Sequence, residues 1–207
     1  MAEIVPRRIR AVFREFGKII ALPQFRTYAI GGAFSFAGLF VYVTGAPIIF
    51  ISAFHVDPRT FGLIFAGLAC AFIGGSQFNI WLSRRHQDRK IFRTALIVQN
   101  IVMLVIVFGT AFGWYGLTAN VVLLLLYLPF CGMAYPNAAA IALAPFNKNV
   151  GSASALLGFL QMGIGALAST SIGLLHSNAT LPIFVVMAVT AVIGLLILLA
   201  GQVRSPD

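Results

Sequence analysis

The side chains able to do chemistry inside the long apolar runs of this 207-residue chain are amides and hydroxyls: Tyr42, Thr44, Gln77, Asn79, Gln99, Asn100, Asn137 and Gln161. Such groups donate and accept hydrogen bonds but are neither activated nucleophiles nor bases at neutral pH, so what they offer is recognition. In an apolar medium each needs a partner. Gln77, Asn137 and Gln161 are expected to face a cavity, whereas Asn79, Gln99 and Asn100 fall nearer the ends of their runs, where packing alone explains them. No Asp, Glu, Lys or Arg lies in the middle of a run, which leaves no buried carboxylate for a proton relay. His176, at the end of one run, reads as a surface residue. There is no HExxH helix, GxSxG elbow or GxxxxGK[ST] loop, so no catalytic residue, metal or cofactor is assigned. Cys70 and Cys131 lack paired spacing and read as small apolar fillers, and the sequon Asn178-Ala179-Thr180 is given no role.

The elements that carry these residues follow from composition. Sixty per cent of residues are apolar and 9% charged, with a mean hydropathy of +0.97. A membrane-spanning helix takes about 20 apolar residues. The uncharged runs accommodate six, near 27–54, 60–83, 92–113, 119–146, 151–175 and 180–201. The two longest runs fold back at Gly113–Asn120 and at His176-Ser177-Asn178, both rich in turn formers. Barrel strands would be shorter and alternate in polarity, so the class is an all-α membrane protein. Of the 14 Lys and Arg, all but Arg59 fall on one side of this arrangement, which makes that side and both termini cytoplasmic. The same topology accounts for the net charge of +9, and no nucleic-acid partner is implied. Residues 1–26 form a cytoplasmic basic segment, and 204–207 a cytoplasmic tail. In the former Ile9, Val12, Phe13, Phe16, Ile19 and Ile20 recur at helical spacing between basic residues, as in an interfacial helix; a disordered basic tail is the alternative.

Small residues recur every fourth position at Gly67, Ala71 and Gly75 in the second span and at Gly165, Ser169 and Gly173 in the fifth. Such ladders let helix backbones approach closely in lipid, although Gly and Ala are also common in membrane helices generally. Proline falls at Pro47 in the first span and at Pro129, Pro136 and Pro145 in the fourth. Ladders and prolines therefore occupy equivalent members of two triplets, as in a three-plus-three inverted repeat. Prolines are tolerated where a cavity or a neighbouring helix satisfies the freed carbonyls, so the first and fourth spans either line a pathway or are ordinary kinked helices.

Four segments carry a more specific signal: Phe36-Ala37-Gly38-Leu39-Phe40-Val41-Tyr42-Val43-Thr44-Gly45-Ala46-Pro47, Gly75-Ser76-Gln77-Phe78-Asn79, Pro136-Asn137-Ala138 and Gly151-Ser152-Ala153-Ser154-Ala155-Leu156-Leu157-Gly158. In order and spacing they resemble the later helices of the twelve-helix Bcr/CflA drug-resistance group of major facilitator antiporters. The resemblance implies the C-terminal six-helix half of that fold, in a bacterial inner membrane, exporting small hydrophobic drugs in exchange for protons. The family's proton-coupling carboxylates belong to the other half, which leaves coupling open here. It also implies a cavity that includes Phe36, Tyr42, Gln77, Asn137 and Gln161, and a homodimer or an N-terminal half as partner, met through the ladders on the second and fifth spans. Two other readings stand beside this one: a non-transporting fragment or assembly partner, and a passive facilitator or channel.

Overall fold

The computed structural model describes residues 4–174 and 180–203, with the side chains of 4–11, 13, 202 and 203 excluded. His176, Asn178, Arg204 and the side chains of Ile9 and Phe13 therefore lie outside the described residues. The described chain is α-helical: α1 (Ile4–Ala21), α2 (Pro23–Pro47) running into a π-helical segment (Ile48–Ala53), α3 (Pro58–Ser83), α4 (Asp88–Ala111), α5 (Leu117–Leu143), α6 (Val150–Leu174) and α7 (Thr180–Val203). From α2 onward the six helices are long and apolar enough to cross a membrane.

Local chemistry explains the boundaries. Pro23 and Pro58 open α2 and α3, where a missing N–H costs nothing. Asp57 caps α3 by accepting from the Arg59 and Thr60 amides at 3.0 and 3.1 Å. At the far end of α4, Gly113 adopts φ +68°. Its amide donates to the Thr110 carbonyl and the Trp114 amide to that of Gly109, a paired closure that uses the left-handed residue to satisfy two orphan carbonyls. Helices begin earlier than the charge-free runs because charge marks the edge of the hydrocarbon and leaves the helix free to continue into the headgroup layer. Arg26, Arg89, Lys90 and Arg93 all sit on helical turns. In the other direction, α5 ends at Leu143, short of the expected 146: Ala144 still has helical angles, but Pro145 beyond it has no N–H with which to carry the helical hydrogen bonding further.

The principal packings form a closed pattern. Helix α2 packs on α5, α6 and α7; α5 packs on α2, α3 and α4; α4 packs on α7. Exchanging α2 with α5, α3 with α6 and α4 with α7 returns the same set. Because successive spans alternate in direction and the exchange steps by three, it relates antiparallel helices, so the two triplets are inverted copies about an axis in the membrane plane. This is the six-helix half of a major facilitator fold. Helices α2 and α5 form its centre, α4 and α7 its back. Helices α3 and α6 flank the front, each resting mainly on one helix.

Two apolar clusters fill the bundle, one around Tyr42, Phe50, Leu68, Met103 and Phe184 and the other around Ile19, Phe25, Phe92 and Leu198. Phe16, Ile19 and Ile20 of α1 join the second, while Val12, Arg14 and Lys18 are exposed. Contrary to the sequence reading, Gln99 and Asn100 do not sit at a helix end. Both are buried where α4 meets α2 and α7: the Ser35 hydroxyl donates to Gln99 Oε1 at 2.9 Å, and Asn100 Nδ2 donates to the Ala191 carbonyl at 3.0 Å.

Candidate binding face

The front of the bundle is built on a gap. Helices α2 and α3 lie side by side without their backbones meeting closely, because both are drawn onto α5. The α3–α5 approach depends on two glycines. A Cβ on Gly75 would collide with the Pro129 backbone, and one on Gly132 with the Phe72 carbonyl. Rings bridge the space this leaves between α2 and α3. Phe50 faces Phe61 with centroids 6.1 Å apart, Tyr42 stacks on Phe65 at 5.9 Å, and Phe36 meets Phe72 at 6.1 Å. Phe36 also lies 5.0 Å from Tyr135 on α5 and 5.7 Å from Phe40. The Phe40 ring in turn covers Gly165 of α6, 2.6 Å from where a Cβ would stand. The four rings Phe36, Phe40, Phe72 and Tyr135 thus join all four front helices and remain only partly buried.

Toward the C-terminal end of α3 this aromatic wall is succeeded by an amide pair. Asn137 Nδ2 donates to Asn79 Oδ1 and to the Met133 carbonyl, each at 2.6 Å, and both asparagines are buried. In the opposite direction along α2, about 9 Å from Phe36 at 1.5 Å per residue, Tyr42 is buried and its hydroxyl has no hydrogen-bond partner among the described residues. Rings that shift with little strain, bounded by a few fixed polar atoms, suit an apolar guest held by dispersion and oriented by one or two hydrogen bonds.

The residues singled out from sequence do not all converge. Phe36 stands in the wall, Asn137 in the amide pair, and Tyr42 in the core behind the rings. Gln161 is buried on α6, one turn from Gly165 and on the same face. Gln77 is exposed instead on an uncovered stripe of α3 with Leu63, Gly67, Cys70, Gly74 and Trp81. Five residues separate it from Phe72, which at 100° per residue turns it well away from α2. The small-residue ladders divide for a similar reason, since a four-residue step advances about 40° around the helix. Gly75 and Gly165 are occupied inside the bundle, whereas a Cβ at Gly67 or Gly173 would meet nothing; Ala71 and Ser169 are intermediate. Sequence reasoning missed Phe40, Phe72, Tyr135 and Asn79. The signal for the rings was present in the spacing of Phe36 with Phe40 and of Phe61, Phe65 and Phe72, which puts each set on one helix face.

Comparison with known proteins gives the geometry a context. No protein-family profile matches the chain. It is 29% identical over 191 residues to the uncharacterised MFS-type transporter YdgK of Bacillus subtilis (strain 168), a match covering 92% of this chain and 47% of that protein. It is 24% identical over 194 residues to the bicyclomycin resistance protein homolog of Haemophilus influenzae, covering 93% and 48%. The chain spans about half the length of the curated relatives it matches. It is a homologue of major facilitator transporters, and the resemblance read from its motifs is borne out.

Proposed function

We propose that this six-helix unit is one half of a membrane transporter for small hydrophobic compounds, completed by a second six-helix unit across the front face. That unit is a second copy of this chain or an N-terminal half, supplied by a separate subunit or by the same polypeptide. The observation that carries the reading is the aromatic wall of Phe36, Phe40, Phe72 and Tyr135, set on the front face where α3 and α6 are least covered. Drug efflux is the direction favoured by the name of the Haemophilus relative, and the concentration of Lys and Arg on one side favours cytoplasmic termini in a bacterial inner membrane.

A passive facilitator is supported by one specific feature. No carboxylate lies in the middle of any described span, so any proton coupling comes from the completing unit. Vesicles containing the chain, loaded with a lipophilic fluorescent dye and given a pH gradient, test both readings. Dye flux that responds to the gradient and falls several-fold in a Phe36→Ala/Tyr135→Ala variant supports the transporter. Flux indifferent to the gradient supports the facilitator, and no flux above empty vesicles overturns the facilitator and the homodimeric transporter and points to an N-terminal half as the completing unit.

A further inference from the structure

The inverted repeat creates two equivalent crevices on the flanks of the bundle. Helices α3 and α4 are consecutive yet barely touch, since both lean on α5, and the V between them is floored by Phe130 and Met133 of that helix. This crevice encloses about 350 Å³. Its counterpart between α6 and α7, floored by Phe34 of α2, encloses about 370 Å³. The first lies at the C-terminal end of α3 and the N-terminal end of α4, whereas the second lies deeper, along the middle of α7 and the C-terminal half of α6.

Their chemistry differs where their shape does not. The α6–α7 crevice carries no charge, and its two hydroxyls, Ser171 and Thr190, donate back to the Ala168 and Met187 carbonyls of their own helices. The α3–α4 crevice has an apolar depth of Leu82, Ile91, Ala95, Phe130 and Met133 and a polar mouth at Lys90 and His86. Lys90 makes no ion pair among the described residues. His86 also lines an adjoining polar cleft with Ser83, Gln87 and Asp88. Over residues 84–93 the basic side chains Arg84, Arg85, Arg89, Lys90 and Arg93 outnumber the single acid, Asp88. Arg85 lies over the Trp81 ring at 4.4 Å, an aromatic and cation pairing typical of the headgroup layer.

We propose that the α3–α4 crevice is a binding site for an anionic phospholipid, with an acyl chain laid against Leu82, Ile91, Phe130 and Met133 and the phosphate held at Lys90 and His86. An apolar slot opening sideways between two helices admits a chain from the bilayer. A cation at its mouth selects for headgroup charge, which the α6–α7 crevice cannot do. The lipid would wedge α3 and α4 apart and bear on Met133, whose carbonyl anchors the amide pair. The site stands independently of what the front face transports.

Native mass spectrometry of the whole chain, released from micelles doped with equal amounts of phosphatidylglycerol and phosphatidylcholine of identical acyl chains, tests it. The wild type is expected to retain phosphatidylglycerol about five-fold over phosphatidylcholine, the preference that one interfacial cation confers. Lys90→Gln/His86→Ala should bring the ratio near one. Thr94→Phe, which fills the exposed rim of the crevice and leaves Lys90 and His86 in place, should reduce retention of both lipids. Arg14→Gln, removing an exposed cation on α1, should leave the ratio unchanged. Equal retention of the two lipids by the wild type overturns the proposal. So does a preference that survives Lys90→Gln/His86→Ala, or one that falls equally in Arg14→Gln. Inorganic phosphate in large excess should not displace the lipid, and displacement would show a simple anion site in place of a lipid site.

Discussion

Removing the amide of Asn137 should uncouple α3 from α5. In Asn137→Ala the donations to Asn79 Oδ1 and to the Met133 carbonyl both vanish, and a buried Asn79 is left without its partner. A hydrogen bond between membrane helices contributes about 0.6 kcal/mol on average and at most about 1.7. Orphaning a buried polar group costs about 1–3 kcal/mol. Asn137→Ala should therefore destabilise by about 1.5–2 kcal/mol. Asn79→Ala should cost less, about 1 kcal/mol, because Asn137 keeps its bond to Met133. The double variant should fall short of the sum by about 0.6–1.7 kcal/mol, while Asn79→Leu/Asn137→Leu, which removes both partners, should be close to neutral. Reversible unfolding in mixed micelles, titrated with a denaturing detergent, gives all four values. Strict additivity of the two alanine variants would refute the pairing, since uncoupled residues have no interaction energy to lose.

Glycine substitutions should divide by position along one ladder. Gly75→Val, driven into the Pro129 backbone, should destabilise by about 1–3 kcal/mol, whereas Gly67→Val, in open space, should leave unfolding in the same micelles unchanged. The Asp57 cap predicts a pH effect. Hydrogen bonds from Thr60 and Arg59 hold its carboxyl below the ordinary 3.8, so the stability it adds is complete above that value and is lost as pH falls through the lower folded one. Asp57→Asn should flatten this acid limb of a thermal unfolding profile, and an unchanged limb would assign it to another group. For topology, cysteines replacing Asn147 and Trp114 in a Cys70→Ser/Cys131→Ser background should react with an impermeant maleimide from opposite sides of the membrane, the first from the cytoplasm. Reaction from the same side would overturn the six-span path.

What the sequence made legible was whatever hydrocarbon imposes. Length, charge-free runs and turn residues located the spans, and the matching positions of ladders and prolines in two triplets anticipated the inverted repeat. Helix rotation was much less legible. Glycines four apart read as one face, yet the drift of the helix carries Gly75 into α5 and leaves Gly67 outside. Gln77, read as a cavity residue because it is polar and deep, turns away from the rings. Asn79, set aside for its place near a helix end, proves to be the partner of Asn137, and Gln99 serves the bundle interior through Ser35. A side chain's depth follows from its position along the chain. Which neighbour it meets depends on how α2 and α3 lean on α5, and that is fixed by contacts such as Gly132 against Phe72, far apart in sequence.

The most direct test of the front face as a substrate wall is labelling at Phe72. In the same cysteine-free background, a Phe72→Cys variant should react with a water-soluble maleimide, and a saturating hydrophobic substrate should protect it. Leu196→Cys, on the exposed outer face of α7, should stay unreactive in lipid. If Phe72→Cys is as inert as Leu196→Cys, or reacts without protection by any transported compound, the wall faces lipid or a packed subunit and the account fails.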